Sequence, residues 1–542
     1  DLYAWSKQSL LTRTSGTSSY AARLHIPVGS RAVNPGYVEA RSRLNGVAID
    51  LPPPMGKTAD AALPLTYRQS FLKPGYQVDI SLGELTHASL KTVDGILRGG
   101  EIHFGKSPLK KVSYKQVDVT GDLDYVDYAE WHKVTSYLDS KSSVSLTSAA
   151  ASTLGSIDVD VARMLAFGVT LENARTHITR VGGAWNVNLK NKMLSGDIKV
   201  PDDAKAPLNV ALDYLHFVSD KSGKNVDPLQ GVQPATFSPI DFSTSDLTLD
   251  GDDYGKWSFQ FRPDATGGRL DKLTAEVKGL SIQDDSSVVW NVSGDGQTSH
   301  YDGTVKVDDL AKALKAWGFA SSIEGQGFKF DAQLDWPGSP AMINLDKMRG
   351  MVKLDEGKGR FVQAEAGSGA FKLLGIFDFA SLARRFRFDF SDIVKQGFSF
   401  SQVKGSTRLD EGKVSVVDPI VITGSGSTLK VGGSLNLNTG KLDNDLIITL
   451  PVSRNLPWYA AYSAIATGPL AGAGVWLAQK VFGSQIDQMS SAKYKITGTL
   501  DDPHIDFVTI FNDRVRESSA EPKDATDAEP ATDTTSKDKK AG

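Results

Sequence analysis

The sequence predicts a mainly β protein, an antiparallel sheet assembled from hairpins with a few short amphipathic helices. Three observations carry this. Leu429, Val431, Gly433, Leu435 and Leu437 occupy every second position, with Lys430, Gly432, Ser434 and Asn436 between them. Side chains alternate across a strand, so this stretch is a ribbon with one apolar face and one wet face. The ribbon turns at Asn438-Thr439-Gly440 and returns through Leu446, Ile448 and Leu450, again two apart, until Pro451 stops it. The turn also recurs: residues 350–358, 405–413 and 433–441 share the pattern Gly-x-x-x-Leu-(Asp/Asn)-x-Gly-Lys. In each copy a turn-forming pair precedes a glycine able to take positive φ, which suits a short hairpin loop.

At 542 residues the chain is long enough for a large core and, by length alone, for three or four domains. Its 51 glycines and 23 prolines follow no period, which excludes collagen. A net charge of −4 gives no electrostatic case for nucleic acid, and the absence of cysteine rules out disulfides and thiolate metal sites. The opening Asp1-Leu-Tyr-Ala-Trp5 reads like the middle of an amphipathic element, so the expectation is a piece whose targeting segment has been removed.

In chain order, residues 42–51 read as a strand, and Pro52-Pro53-Pro54 then forces an extended, non-pairing turn. From Leu65 to Val119 short alternating runs are separated by glycine. Three segments then couple a period-two strand to an aspartate cap and a helical spacing: 121–138, 155–167 and 303–318. Helices are therefore expected through Tyr128, Trp131 and Leu138, through Val161 to Phe167, and through Leu310 to Trp317. Residues 201–240, with five prolines, read as long loops. Phe371 to Ala383 is apolar enough for a buried helix, and Phe386, Phe388 and Phe390 alternate as a strand. Beyond Val515 no large aliphatic or aromatic residue occurs, so that tail is expected to stay disordered.

Residues 100–107, Gly-Glu-Ile-His-Phe-Gly-Lys-Ser, match the phosphate-loop pattern. That chemistry needs a glycine loop feeding a helix, whereas these positions alternate as a strand at a hairpin edge. Asp250-Gly-Asp-Asp-Tyr-Gly255 lacks a glutamate at its twelfth position, Phe261, and reads as a charged hairpin tip rather than a calcium loop. The eight histidines have no metal-ligand spacing, and no Gly-x-Ser-x-Gly elbow occurs. No catalytic residue, metal or cofactor is assigned, and the chain does not read as an enzyme. Residues 455–479 carry no charged side chain; Gly468-Pro469 and Gly472-Ala-Gly474 interrupt them, and Trp458, Tyr459, Tyr462 and Trp476 lie towards their ends. Two readings stay open: a buried helical hairpin capping the sheet, or a hairpin dipping shallowly into a membrane with those aromatic residues in contact with lipid.

Several ordered blocks carry a family likeness. Leu456-Pro-Trp458, Gly468-Pro-Leu-Ala-Gly-Ala-Gly-Val-Trp476, Phe482-Gly-Ser-Gln-Ile-Asp-Gln-Met-Ser-Ser491 and Tyr494-Lys-Ile-Thr-Gly-Thr-Leu-Asp-Asp-Pro503 resemble the C-terminal region of the YhdP branch of the AsmA-like family. Residues 42–57, with Gly99-Gly-Glu-Ile-His-Phe-Gly105, Val117-Asp-Val-Thr-Gly-Asp-Leu-Asp124 and Trp131, resemble that family's central region. The resemblance implies a periplasmic protein of Gram-negative bacteria, anchored in the inner membrane through an N-terminal segment absent from this chain. It implies an elongated, curled β-sheet whose concave face is an apolar groove for phospholipid acyl chains, acting between inner and outer membrane in outer-membrane barrier function, with envelope proteins as possible partners. On that basis the expected organisation is a groove segment over 1–200, its continuation with proline-containing loops over 201–345, a C-terminal region over 346–515 with an apolar hairpin near 455–489, and a tail from 516. The expected sheet has roughly thirty-five strands at about 4.8 Å spacing, a rod on the order of 150 Å. Leu429, Val431, Leu435, Leu437, Leu446, Ile448 and Leu450 are the expected groove lining. Periodicity alone does not separate an open trough from closed sandwiches, and the rival reading is a non-enzymatic envelope scaffold made of such sandwiches.

Overall fold

The computed structural model describes residues 9–361, 398–449, 491–510 and 514–515, apart from 29–34, 108, 110–111, 142–152, 167–168, 204, 219–226, 228, 295, 319–322, 425–426 and 501. Strand accounts for 68% of the described residues and helix for 6%. They form 29 strands, mostly in antiparallel pairs, as the alternating sequence dictates. The chain divides into two units, Asp1–Gly318 with Gln326–Met348, and Phe319–Gly325 with Arg349–Gly542.

In the first unit consecutive strands pair in order from Tyr20–His25 onward, and the exceptions explain the helices and long loops. Val117–Asp127 runs parallel to both Ile96–Phe104 and Leu154–Ala166. A parallel neighbour needs a crossover, and the helix Tyr128–Lys141 lies in that connection. Asp127 caps it, its carboxylate accepting from the Glu130 amide at 3.1 Å. The third expected helix is also present, over Leu310–Ala316, capped one residue later than expected: Asp309 accepts from the Lys312 amide at 3.0 Å.

Three expectations are corrected. Residues 161–166 are not helical but continue the strand Leu154–Ala166, with Val161 opposite Ala174 and Met164 opposite Leu171. Here Ala162 and Arg163 both face solvent, as do Glu172 and Asn173 on the neighbour, where Asn173 takes φ +52°. Two consecutive outward residues give the buried positions a spacing of three, which imitates a helix. Residues 201–240 are not all loop: Leu208–Phe217 is a ten-residue strand lying parallel to Ile240–Thr244. The first copy of the turn pattern does not turn. Arg349–Phe361 runs through it, paired with one strand on both sides of the motif, Leu354 opposite Gly405 and Gly359 opposite Phe400.

In the second unit the other two copies do turn. Asp410 pairs with Lys413 across Glu411 and Gly412, at φ +48° and +81°, the left-handed pair of a two-residue hairpin. At the third, the Asn436 carboxamide accepts from the Asn438 and Thr439 amides at 3.1 and 2.9 Å, and Gly440 takes φ +67°. The segments Phe371–Ala383, Phe386–Phe390, residues 455–489 and the tail from 516 lie outside the described residues.

Candidate functional site

Of the expected groove residues, Leu429, Val431, Leu435, Leu446 and Ile448 share one face. Leu429 stands opposite Ile448, Val431 opposite Leu446 and Leu435 opposite Leu442, and residues opposite one another in a ladder point the same way. The Leu437 amide, just past the strand, donates to the Gly412 carbonyl at 2.7 Å. Burial divides the set, however. Leu429, Leu446 and Ile448 are only 2, 2 and 6% exposed, while Val431, Leu435 and Leu437 are half-buried. The row Val403, Ile422, Leu429, Ile448 is closed throughout. This part of the second unit has the dryness of a packed core. Leu450, Trp458, Tyr459, Tyr462 and Trp476 lie outside the described residues.

A different apolar row appears in the first unit. Following opposite residues from strand to strand gives Ala22, Ala40, Tyr67, Ile80, Ala88, Ile102 and Val119. The same row continues through Ile157, Ile178, Val187, Ile198, Val210, Phe242 and Phe259. Fourteen strands each contribute one side chain, and every one is apolar in body. At ~4.8 Å per strand the row is about 60 Å long. Twelve of the fourteen are half-buried, Ala22 is exposed and only Ala88 is buried. The row lies in a continuous apolar surface that water still reaches in part, and Phe242 and Phe259 stack at 4.8 Å at its far end.

The adjacent row, one residue along each strand and so on the opposite face, runs Arg41, Thr66, Ser81, His87, His103, Thr120, Asp158, His177, Asn188 and Asp197. It is bound together laterally. Ser81 meets His87 at 3.1 Å, His103 meets the Thr120 hydroxyl at 2.8 Å, and the Asn188 amide donates to Asp197 at 2.9 Å. At Asp158, partial burial works to raise the carboxyl, but the Ser156 hydroxyl and His177 outweigh it and hold the group below the usual carboxylate range. One face is therefore wet and hydrogen-bonded, and the other is apolar.

Residues 100–104 of the phosphate-loop match lie in the strand Ile96–Phe104, so Ile102 belongs to the apolar row and His103 to the wet one. Asp250 and Gly251, at φ +53° and +88°, form the tip of a two-residue hairpin. Among the described residues no group of acidic and histidine side chains is placed to hold a metal ion, and no helix is long and apolar enough to cross a membrane.

The family model described as YhdP protein matches residues 1–505. The chain belongs to the YhdP family. Among YhdP relatives, the intermembrane phospholipid transporter YhdP of Escherichia coli (strain K12) is 27% identical over 268 residues. That alignment covers 49% of this chain and 19% of the length of the relative. No solved structure matches. What the sequence reasoning missed is which strands form the half-exposed row. Each member shows locally as an apolar alternate, but the neighbours that align it are set by loops and bulges.

Proposed function

We propose that this chain is part of a lipid transfer protein, and that the apolar face around Tyr67, Ile80, Ile102, Ile157, Ile198 and Phe242 carries phospholipid acyl chains. The observation behind this reading is the fourteen-strand row, apolar at every step yet half-open to solvent. A sandwich core is dry at its centre, because a second sheet covers it at about 10 Å. Stripping an acyl chain of a bilayer costs about 0.8 kcal/mol per methylene, so roughly 12 kcal/mol for sixteen carbons. An apolar face removes most of that cost while headgroups stay in water, and no bond is made or broken. The relative's printed role, phospholipid transport between membranes, agrees with this chemistry. We place the protein in the periplasm, between inner and outer membrane, in support of the outer-membrane barrier. The apolar residues 455–479 then serve as a shallow membrane contact through Trp458, Tyr459, Tyr462 and Trp476.

Native mass spectrometry of gently extracted protein tests the reading. Co-purified phospholipid is expected with the wild-type chain and is expected to be lost from Ile102→Asp at unchanged fold. A wild-type chain that carries no lipid contradicts the proposal and favours the envelope scaffold.

A further inference from the structure

One cation breaks the apolar pattern. Arg180 continues the alternation of Ile178 and stands opposite Trp185, which in turn stands opposite Val200, so the guanidinium lies on the apolar face one step from Ile178 and Val187. Its side chain is only 17% exposed. The guanidinium carbon sits 5.1 Å from the centre of the Trp185 ring, and Nη2 donates to Asp202 at 2.5 Å. Nη1 is buried and has no hydrogen-bond partner among the described residues. A guanidinium does not shed its proton, so this is a permanent charge with a donor held dry and unused. Leaving such a donor without an acceptor is costly, and an anionic oxygen in fork geometry relieves the cost.

We infer that Arg180 and Trp185 form a docking point for the phosphate of a phosphodiester lipid. The assignment rests on the lipid-carrying role proposed above and adds a place where a headgroup pauses. The chemistry that meets this site is an anion joined to apolar chains. The phosphate takes Nη1, and the acyl chains continue over Ile178, Val187 and Ile198. Asp202 is the internal competitor: it holds the guanidinium when no lipid is present and gives way to the phosphate. A free phosphate has the same anionic oxygens but gains nothing from the apolar row.

Binding of three probes to the full chain decides this: a dioleoyl phosphatidylglycerol, dioleoylglycerol without phosphate, and glycerol 3-phosphate. The wild-type chain is expected to prefer the phospholipid over the diacylglycerol by about tenfold, in line with one charge-assisted fork. Arg180→Gln is expected to abolish that preference and leave diacylglycerol binding unchanged. Asp202→Asn removes the competitor and is expected to tighten phospholipid binding alone. Equal loss of both lipids in a folded Arg180→Gln chain means that Arg180 only braces the sheet, and overturns the inference. Glycerol 3-phosphate binding as tightly as the phospholipid makes this a free-phosphate site and overturns it too. If Arg180→Gln fails to fold, Asp202→Asn decides: tightening supports the site, and no change sinks it. Diacylglycerol bound without any preference for phosphate defeats this site alone, whereas a wild-type chain that binds neither lipid defeats the lipid-carrying role as well.

Discussion

Tyr494 stands opposite Leu446 on the apolar side of the second unit and packs edge-on against Phe507 at 5.6 Å. Burial pushes its hydroxyl up to about 12, because the phenolate is poorly solvated there. The folded form therefore holds the proton more tightly than the unfolded chain. Its contribution is complete below the ordinary tyrosine range near 10 and is lost as pH rises towards 12. Urea titrations from pH 9 to 12 are expected to show stability falling over that window, and Tyr494→Phe is expected to flatten the fall. An equal slope in both chains rules this residue out as the source. On the opposite face, the buried Asp445 carboxylate meets the Lys493 and Lys495 ammonium groups at 2.9 and 3.2 Å. The alternation at 429–450 points out the apolar partners in this region, but it carries no hint of that ion cluster, since Lys493 and Lys495 come from a strand some fifty residues away.

At the level of strands, burial separates two apolar rows that look alike in sequence. Ile198 and Leu446 are each one apolar residue in an alternating run, but Ile198 is half-buried and Leu446 is dry. Ile198→Asp is expected to cost about 1–2 kcal/mol, and Leu446→Asp more than about 4 kcal/mol, because only the second places an unpaired charge where water does not reach. Chemical denaturation of the two variants tests this, and equal losses contradict the distinction. Hairpins, their alternation and two of the three short helices were legible in the sequence, since each depends on neighbours within a few residues. Register was not. Gly121 takes φ +118° where an added Cβ would lie 1.9 Å from the Phe104 carbonyl oxygen, so this glycine marks a close approach of parallel strands, invisible until their order is known. Residues 161–164 mislead for a similar reason: two consecutive outward side chains and a helix turn both bring every third residue inward.

For the molecule as a whole, membership of the YhdP family and a mainly β fold were both readable from residues, while the partial exposure of the row from Ala22 to Phe259 was not. Periodicity says that a strand has an apolar side; only the assembled sheet shows whether that side is covered. The account depends on the two faces of the first unit having different partners. Site-specific photo-crosslinking measures this directly, with a photoreactive amino acid placed at Ile80, Ile102 or Ile198 and, one residue along, at Ser81, His103 or Lys199. In cells or in reconstituted vesicles, the account predicts phospholipid adducts from the first three positions and none above background from the second three. Adducts from both faces alike, or from neither, contradict it.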